Sequence, residues 1–184
     1  ACLAQLGHQV ALEDLDRQQS AASWLERRPD HLAPVQAASG LGKQALQKMD
    51  WIIVDAPAAL REHKVSDAVK VADLVLVPLA PSAFDVGATQ DFLAMLAEEK
   101  AIRKQKTFVG LVGMRVMQRT RAAERLQHVM HDSGFTMLSQ LRASQVYVTA
   151  AEEGRSIFEL PGSQKEQDIA QWIPITDWVL HNAG

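Results

Sequence analysis

Two rhythms of apolar and polar positions alternate along the chain. Trp51-Ile52-Ile53-Val54, Leu74-Val75-Leu76-Val77-Pro78 and Phe108 to Met114 are short, almost unbroken apolar runs, the pattern of parallel strands buried on both faces. A further run from His8 to Leu12 leads into Glu13-Asp14-Leu15-Asp16, a strand that delivers carboxylates at its C-terminal end, and Met137 to Leu141 reads as a last strand. Helical spacing marks the intervening stretches: after Ser20 through Trp24 and Leu25, 41 to 49, Lys64 to Val71, Asp85 to Glu99, Arg121 to Asp132 and Val146 to Glu153. The opening residues read as the last turns of a helix stopped by Gly7, and Gln164 to Leu180 as a helix broken at Pro174. Strand and helix alternating through short connections predict an α/β fold, a doubly wound, mostly parallel sheet with helices on both faces. No repeat, low-complexity stretch or linker interrupts the pattern, so residues 1–184 are expected to form a single domain.

Composition narrows the partners. At 47% hydrophobic and 22% charged the chain is that of an ordinary globular domain, and its net charge of −3 supplies no overall attraction for nucleic acid. Any such contact would need a local basic patch. A single cysteine, Cys2, excludes an internal disulfide, and no apolar run approaches the roughly 18 residues of a membrane span. A reducing cytoplasm is the expected setting, with no membrane partner.

In parallel α/β sheets ligands bind beyond the carboxyl ends of the strands, which singles out Asp14, Asp16 and Asp55. Asp55 follows four apolar residues expected in a buried central strand, where its carboxylate could face a hydrated magnesium ion; alternatively it caps the turn before Pro57. Asp14 and Asp16 lie two apart and in an extended segment would face one ligand, or else stand in a solvated loop. Ser39-Gly40-Leu41-Gly42-Lys43-Gln44 imitates a phosphate loop, but the spacing requires glycine at 37 and Ser or Thr at 44, where the chain has Ala37 and Gln44. No strand is expected immediately before it either. His128 and His131, three apart on a helix, lack a third ligand and read as surface residues. Trp172 and Trp178 give the tail an apolar face, but residues 166 to 184 hold no lysine or arginine to meet anionic lipid, so the tail is expected to pack on the domain.

Several of these segments, in order, resemble the ParA/MinD partition ATPases. Gly7 to Ser20 is similar to the family's second strand and its "DxDPQxS" switch I, Asp50 to Pro57 to Walker B and switch II, and Ala72 to Pro78 with Pro81-Ser82 to the next strand. Arg119-Thr120-Arg121 and Gly154-Arg155-Ser156-Ile157-Phe158-Glu159 resemble later signatures. The resemblance implies a P-loop NTPase-like fold with ATP and Mg as cofactors. It implies Asp16 as the acid that positions the attacking water, Asp14 as its nucleotide-side neighbour, and Asp55 as the Walker B acid, meeting Mg through water. Met114 stands where many members carry an adenine-reading asparagine, and Arg17 replaces the proline of switch I. DNA-contact candidates are Arg119, Arg121 and Arg142, although Ser144 and Val148 occupy positions where arginines are common in the family; the cluster Lys100, Arg103, Lys104 and Lys106 reads as a solvated helix end.

The resemblance further implies an ATP-dependent homodimer that positions plasmid, chromosome or protein cargo through a ParB-like or other adaptor, nucleoid-associated if DNA is bound. The family's "KGGxGKT" loop and first strand would precede Ala1, so the span is expected to be inactive alone and, with the sheet's middle strand absent, poorly stable. An alternative reading is a non-hydrolysing scaffold that keeps the fold; a third is a metabolic relative using ATP for amidation or metal-cluster transfer.

Overall fold

The computed structural model describes residues 1–57, 62–81 and 86–183, with side chains of 62–64 excepted; Ser82 and Asp85 lie outside the described residues. Contacts gather the chain into two compact units, Ala1–Leu60 with Gln145–Glu166 and Arg61–Ser144 with Gln167–Gly184. Every strand pairing in both is parallel.

In the first unit, β1 (Val10–Asp14) lies between β2 (Gln36–Ala37) and β3 (Trp51–Asp55). The central place suits its Val10 and Ala11, which are fully enclosed. Around the sheet stand α1 (Cys2–Gln5), α2 (Ser20–Glu26), α3 (Lys43–Leu46) and α8 (Gln145–Glu152). As expected, Gly7 ends the first helix, with φ at +93°. Two expectations change. The two-residue strand β2, paired with Leu12 and Ala11, does precede the false phosphate loop, but a 3-10 turn (Ala38–Gly40) and a four-residue helix follow it. And β3 is not a buried central strand: among the described residues it pairs with β1 alone, leaving Ile52, Ile53 and Val54 between 41% and 47% exposed. The apolar run specified a strand correctly, while its burial depends on a second neighbour that no described residue supplies.

The second unit orders its strands β4 (Leu74–Leu79), β5 (Phe108–Val116), β6 (Thr136–Arg142). Its helices are α4 (Glu62–Val71), α5 (Val86–Glu98), α6 (Lys100–Arg103), α7 (Arg121–Asp132) and most of α9 (Glu166–Asn182). Leu93, Leu96, Leu111, Leu126 and Met130 centre its main core. The apolar positions of α7 recur every three to four residues, so Ala123, Leu126, Val129 and Met130 share one buried face, and Thr120 caps the helix by accepting from the Ala123 amide at 3.2 Å. The tail helix packs through Ile175 and Trp172 against Val112 and Leu141. Contrary to the expected break, α9 runs through Pro174. The helix is tied down before the proline by Asp168 and Gln171, and beyond it the Thr176 hydroxyl donates to the Ile173 carbonyl at 2.9 Å. Among the described residues no helix is long and apolar enough to cross a membrane.

Candidate functional site

The three acids singled out in the sequence all belong to the first unit, and its sheet register brings two of them side by side. Asp14 ends β1 and Asp55 ends β3, and the strands pair so that these residues are opposite one another. The Leu15 amide then donates to the Asp55 carbonyl at 2.9 Å, extending the ladder one residue past the strand. Beyond that point the chain turns on its own carboxylates. The Asp16 amide donates to Asp14 Oδ1 at 2.9 Å, and the Gln18 amide to Asp16 Oδ1 at 3.0 Å. Short acidic side chains make such turns because each can accept from the backbone two residues on.

Asp14 has a second task that its sequence neighbours did not reveal. Gln19, the residue before α2, sits in the left-handed region (φ +51°) and offers the helix no side-chain cap. Asp14 Oδ2 takes that place from outside, accepting the amide of Ala22 in the helix's first turn at 2.9 Å. This bond to Ala22, more than that to Asp16, draws the Asp14 pKa below its ordinary value against the opposing effect of burial. Asp55 moves the other way. Partial burial, then the charges of Asp14 and Asp16, raise its pKa.

A loop with one stabilised carboxylate and one repelled carboxylate suits a cation arriving with its own ligands, which would relieve the repulsion on Asp55. Among the described residues no group of three His, Cys, Asp or Glu side chains is placed to enclose a metal directly. Magnesium needs no such enclosure, since it commonly keeps several waters and takes one or two carboxylates, so Asp55 fits a water-mediated contact. Beside Asp14, a groove of 650 Å³ opens between β1, α2 and the following loop; Glu13, Glu26 and Asp30 also line it, whereas Asp16 and Asp55 do not.

The other candidates lie in the second unit. Met114 packs against Val112, Leu141 and Ile175. Arg119 and Arg121 are exposed and form no ion pair among the described residues, and Arg119 has a positive φ of +62°. Arg142 is committed differently: its guanidinium grips both carboxylate oxygens of the fully buried Asp168, each at 2.8 Å. That grip lowers the Asp168 pKa against burial, which raises it. His128 and His131 are on the surface, as expected.

Sequence reasoning missed Arg28. Its guanidinium is bound by Glu159, whose side chain is completely enclosed. The signal that existed was Ser156 and Glu159 at the spacing of a capping box, which the structure forms.

No protein-family model matches the chain. It is 27% identical, over 173 residues, to the maintenance of carboxysome distribution protein A of Halothiobacillus neapolitanus, spanning 87% of this chain and 77% of that protein. Among solved structures it is similar to the MinD cell division protein of Aquifex aeolicus, with a TM-score of 0.61 at 16% identity over 93% of this chain and 86% of that one. It is also similar to the Pyrococcus furiosus cell division ATPase MinD (TM-score 0.59, 15% identity, 96% and 89% covered) and to a plasmid partition protein from Borrelia burgdorferi (TM-score 0.57, 14% identity, 85% and 87% covered). With parallel strands, interleaved helices and an acidic loop at the ends of β1 and β3, the chain has a P-loop NTPase-like α/β fold, similar to that of these MinD and plasmid partition proteins.

Proposed function

We propose that the protein carrying this chain is a ParA-like ATPase that dimerises around ATP, separates on hydrolysis, and uses that cycle to position a cargo. The observation that carries this reading is the acidic loop: Asp14 and Asp55 in register on neighbouring parallel strands, with Asp16 two residues farther along and close enough to raise the Asp55 pKa. In this reading Asp16 orients the attacking water, Asp14 holds the loop and the helix behind it, and Asp55 meets magnesium through water. Magnesium, when bound, supplies neutralisation of the phosphate charge. The span contains no glycine-rich phosphate loop, so turnover is proposed for a protein that also has one.

Arg119 and Arg121 are the preferred contacts for non-specific DNA, since Arg142 would have to release a buried carboxylate to reach a phosphate. A non-hydrolysing scaffold is the second reading, favoured by Met114 packing into the apolar cluster of Val112, Leu141 and Ile175, where a base-reading residue would need polar groups. Sizing of the full-length protein by light scattering with ATP, with ADP and without nucleotide separates the two. The switch reading expects a dimer with ATP only, and expects Asp16→Ala to stay dimeric while hydrolysis falls about 100-fold or more. A monomer under all conditions, with no ATP bound, overturns it.

A further inference from the structure

The helix behind the acidic loop is held by polar contacts at both ends. None of the seven residues of α2 is fully buried, Ala21 to Leu25 being half-buried, so polar contacts at the ends add to a thin apolar packing in setting where the helix stands. Its N-terminal turn hangs on Asp14 through the Ala22 amide. Its C-terminal end is gripped by the segment from Gly154 to Glu159. Trp24 Nε1 donates to the Arg155 carbonyl at 3.0 Å. Arg28, just past the helix, donates from Nη1 to Glu159 Oε2 at 3.0 Å and from Nη2 to Glu159 Oε1, and its Nε reaches the Ala33 carbonyl at 3.1 Å. The Arg28 and Glu159 side chains are 5% and 0% exposed. Glu159 is aimed by the Ser156 amide at 2.8 Å and the Ser156 hydroxyl at 3.0 Å.

The approach is close enough to dictate a residue type. Gly154 has φ +63°, and a Cβ there would lie 2.4 Å from the carbonyl carbon and oxygen of Arg27. Only glycine lets the segment sit against the end of α2 in this way.

A seven-residue helix is a rod about 10 Å long, too short to absorb a displacement at one end without moving the other. We infer that Glu159 is a positioning residue for the Asp14–Asp16 loop, acting through Arg28 and α2 to set where the loop's carboxylates stand. The inference rests on the reading of Asp16 as the acid that orients the attacking water.

Two measurements on the full-length protein test it. Without nucleotide, amide hydrogen exchange in Glu159→Gln should quicken about 10-fold at Ala22 and Asp16, whose amides are held by Asp14, with β5 unchanged. Loosening confined to residues 154–159 overturns the inference. Should Glu159→Gln fail to fold, Trp24→Phe, which deletes the indole bond to Arg155 and trims the ring lying under the Arg28 guanidinium, should give a smaller rise at the same two amides, and no rise there overturns it equally. In ATP hydrolysis, Glu159→Gln should lower kcat about 10-fold with KM nearly unchanged, and adding it to Asp16→Ala should cause little further loss, because residues that act as a unit are non-additive. Losses that multiply, or a change confined to KM, overturn it. If the unaltered protein hydrolyses no ATP, the proposed function fails, and the exchange measurement still decides whether Glu159 places the loop.

Discussion

Asp14 and Asp55 face each other across a strand pair and respond in opposite directions. Asp55, raised by burial and by two neighbouring charges, is a carboxylate whose ionised form the native protein disfavours. A raised acid favours folding at low pH and opposes it once pH has passed the unfolded and then the folded value. Asp55→Asn should therefore raise the denaturation midpoint near neutral pH, and the gain should vanish below about pH 4, where the acid is protonated in both states. Urea melts at the two pH values check this, and a loss of nucleotide-dependent dimerisation in the same variant would accompany the gain. Asp14 has the reverse sign: its depressed pKa contributes stability above the ordinary carboxylate value that is lost as pH falls through the native one. The two-residue spacing of Asp14 and Asp16 and the apolar run before Asp55 made these acids legible in the sequence. The capping of α2 by Asp14 was not, because the Ala22 amide lies eight residues away and comes within reach only after two turns have folded.

At the scale of elements, the strands and the longer helices were readable because apolar periodicity is set by burial, and burial is what holds them. The α7 stripe is the clearest case; Leu126→Ala at its centre should cost about 2–5 kcal/mol of stability, measurable by chemical denaturation. α2 shows where that signal ends. Its C-terminal end is fixed by an ion pair and a backbone acceptor brought from residues 131 positions away, which no local pattern encodes. Truncating Arg28→Ala would leave the enclosed Glu159 carboxylate without its counter-ion, a loss on the order of 3–5 kcal/mol. Arg28 lowers the Glu159 pKa against a burial effect that raises it. The net depression means that this stabilisation is present at neutral pH and fades as pH falls through the native value. Pro174 teaches the complementary lesson. A proline inside a pattern predicts a break, but a helix anchored on both sides of it can run on with one backbone bond missing.

For the whole chain, alternating strands and helices in the sequence sufficed to give a parallel α/β fold, whereas strand order depends on pairing between distant segments and could be proposed only by resemblance. The structure pairs β3 with β1 alone and β4 with β5 alone among the described residues. The span by itself should therefore unfold in a broad, weakly cooperative transition, and a single sharp one in calorimetry would contradict this. The rim of β3 has a practical corollary. An apolar strand of high β-propensity whose second edge is unpaired among the described residues invites the same strand of another molecule to join it. Purified alone, the span should precipitate in a concentration-dependent way that a charged residue at position 53 suppresses, so that solubility becomes a gauge of whether that rim is occupied.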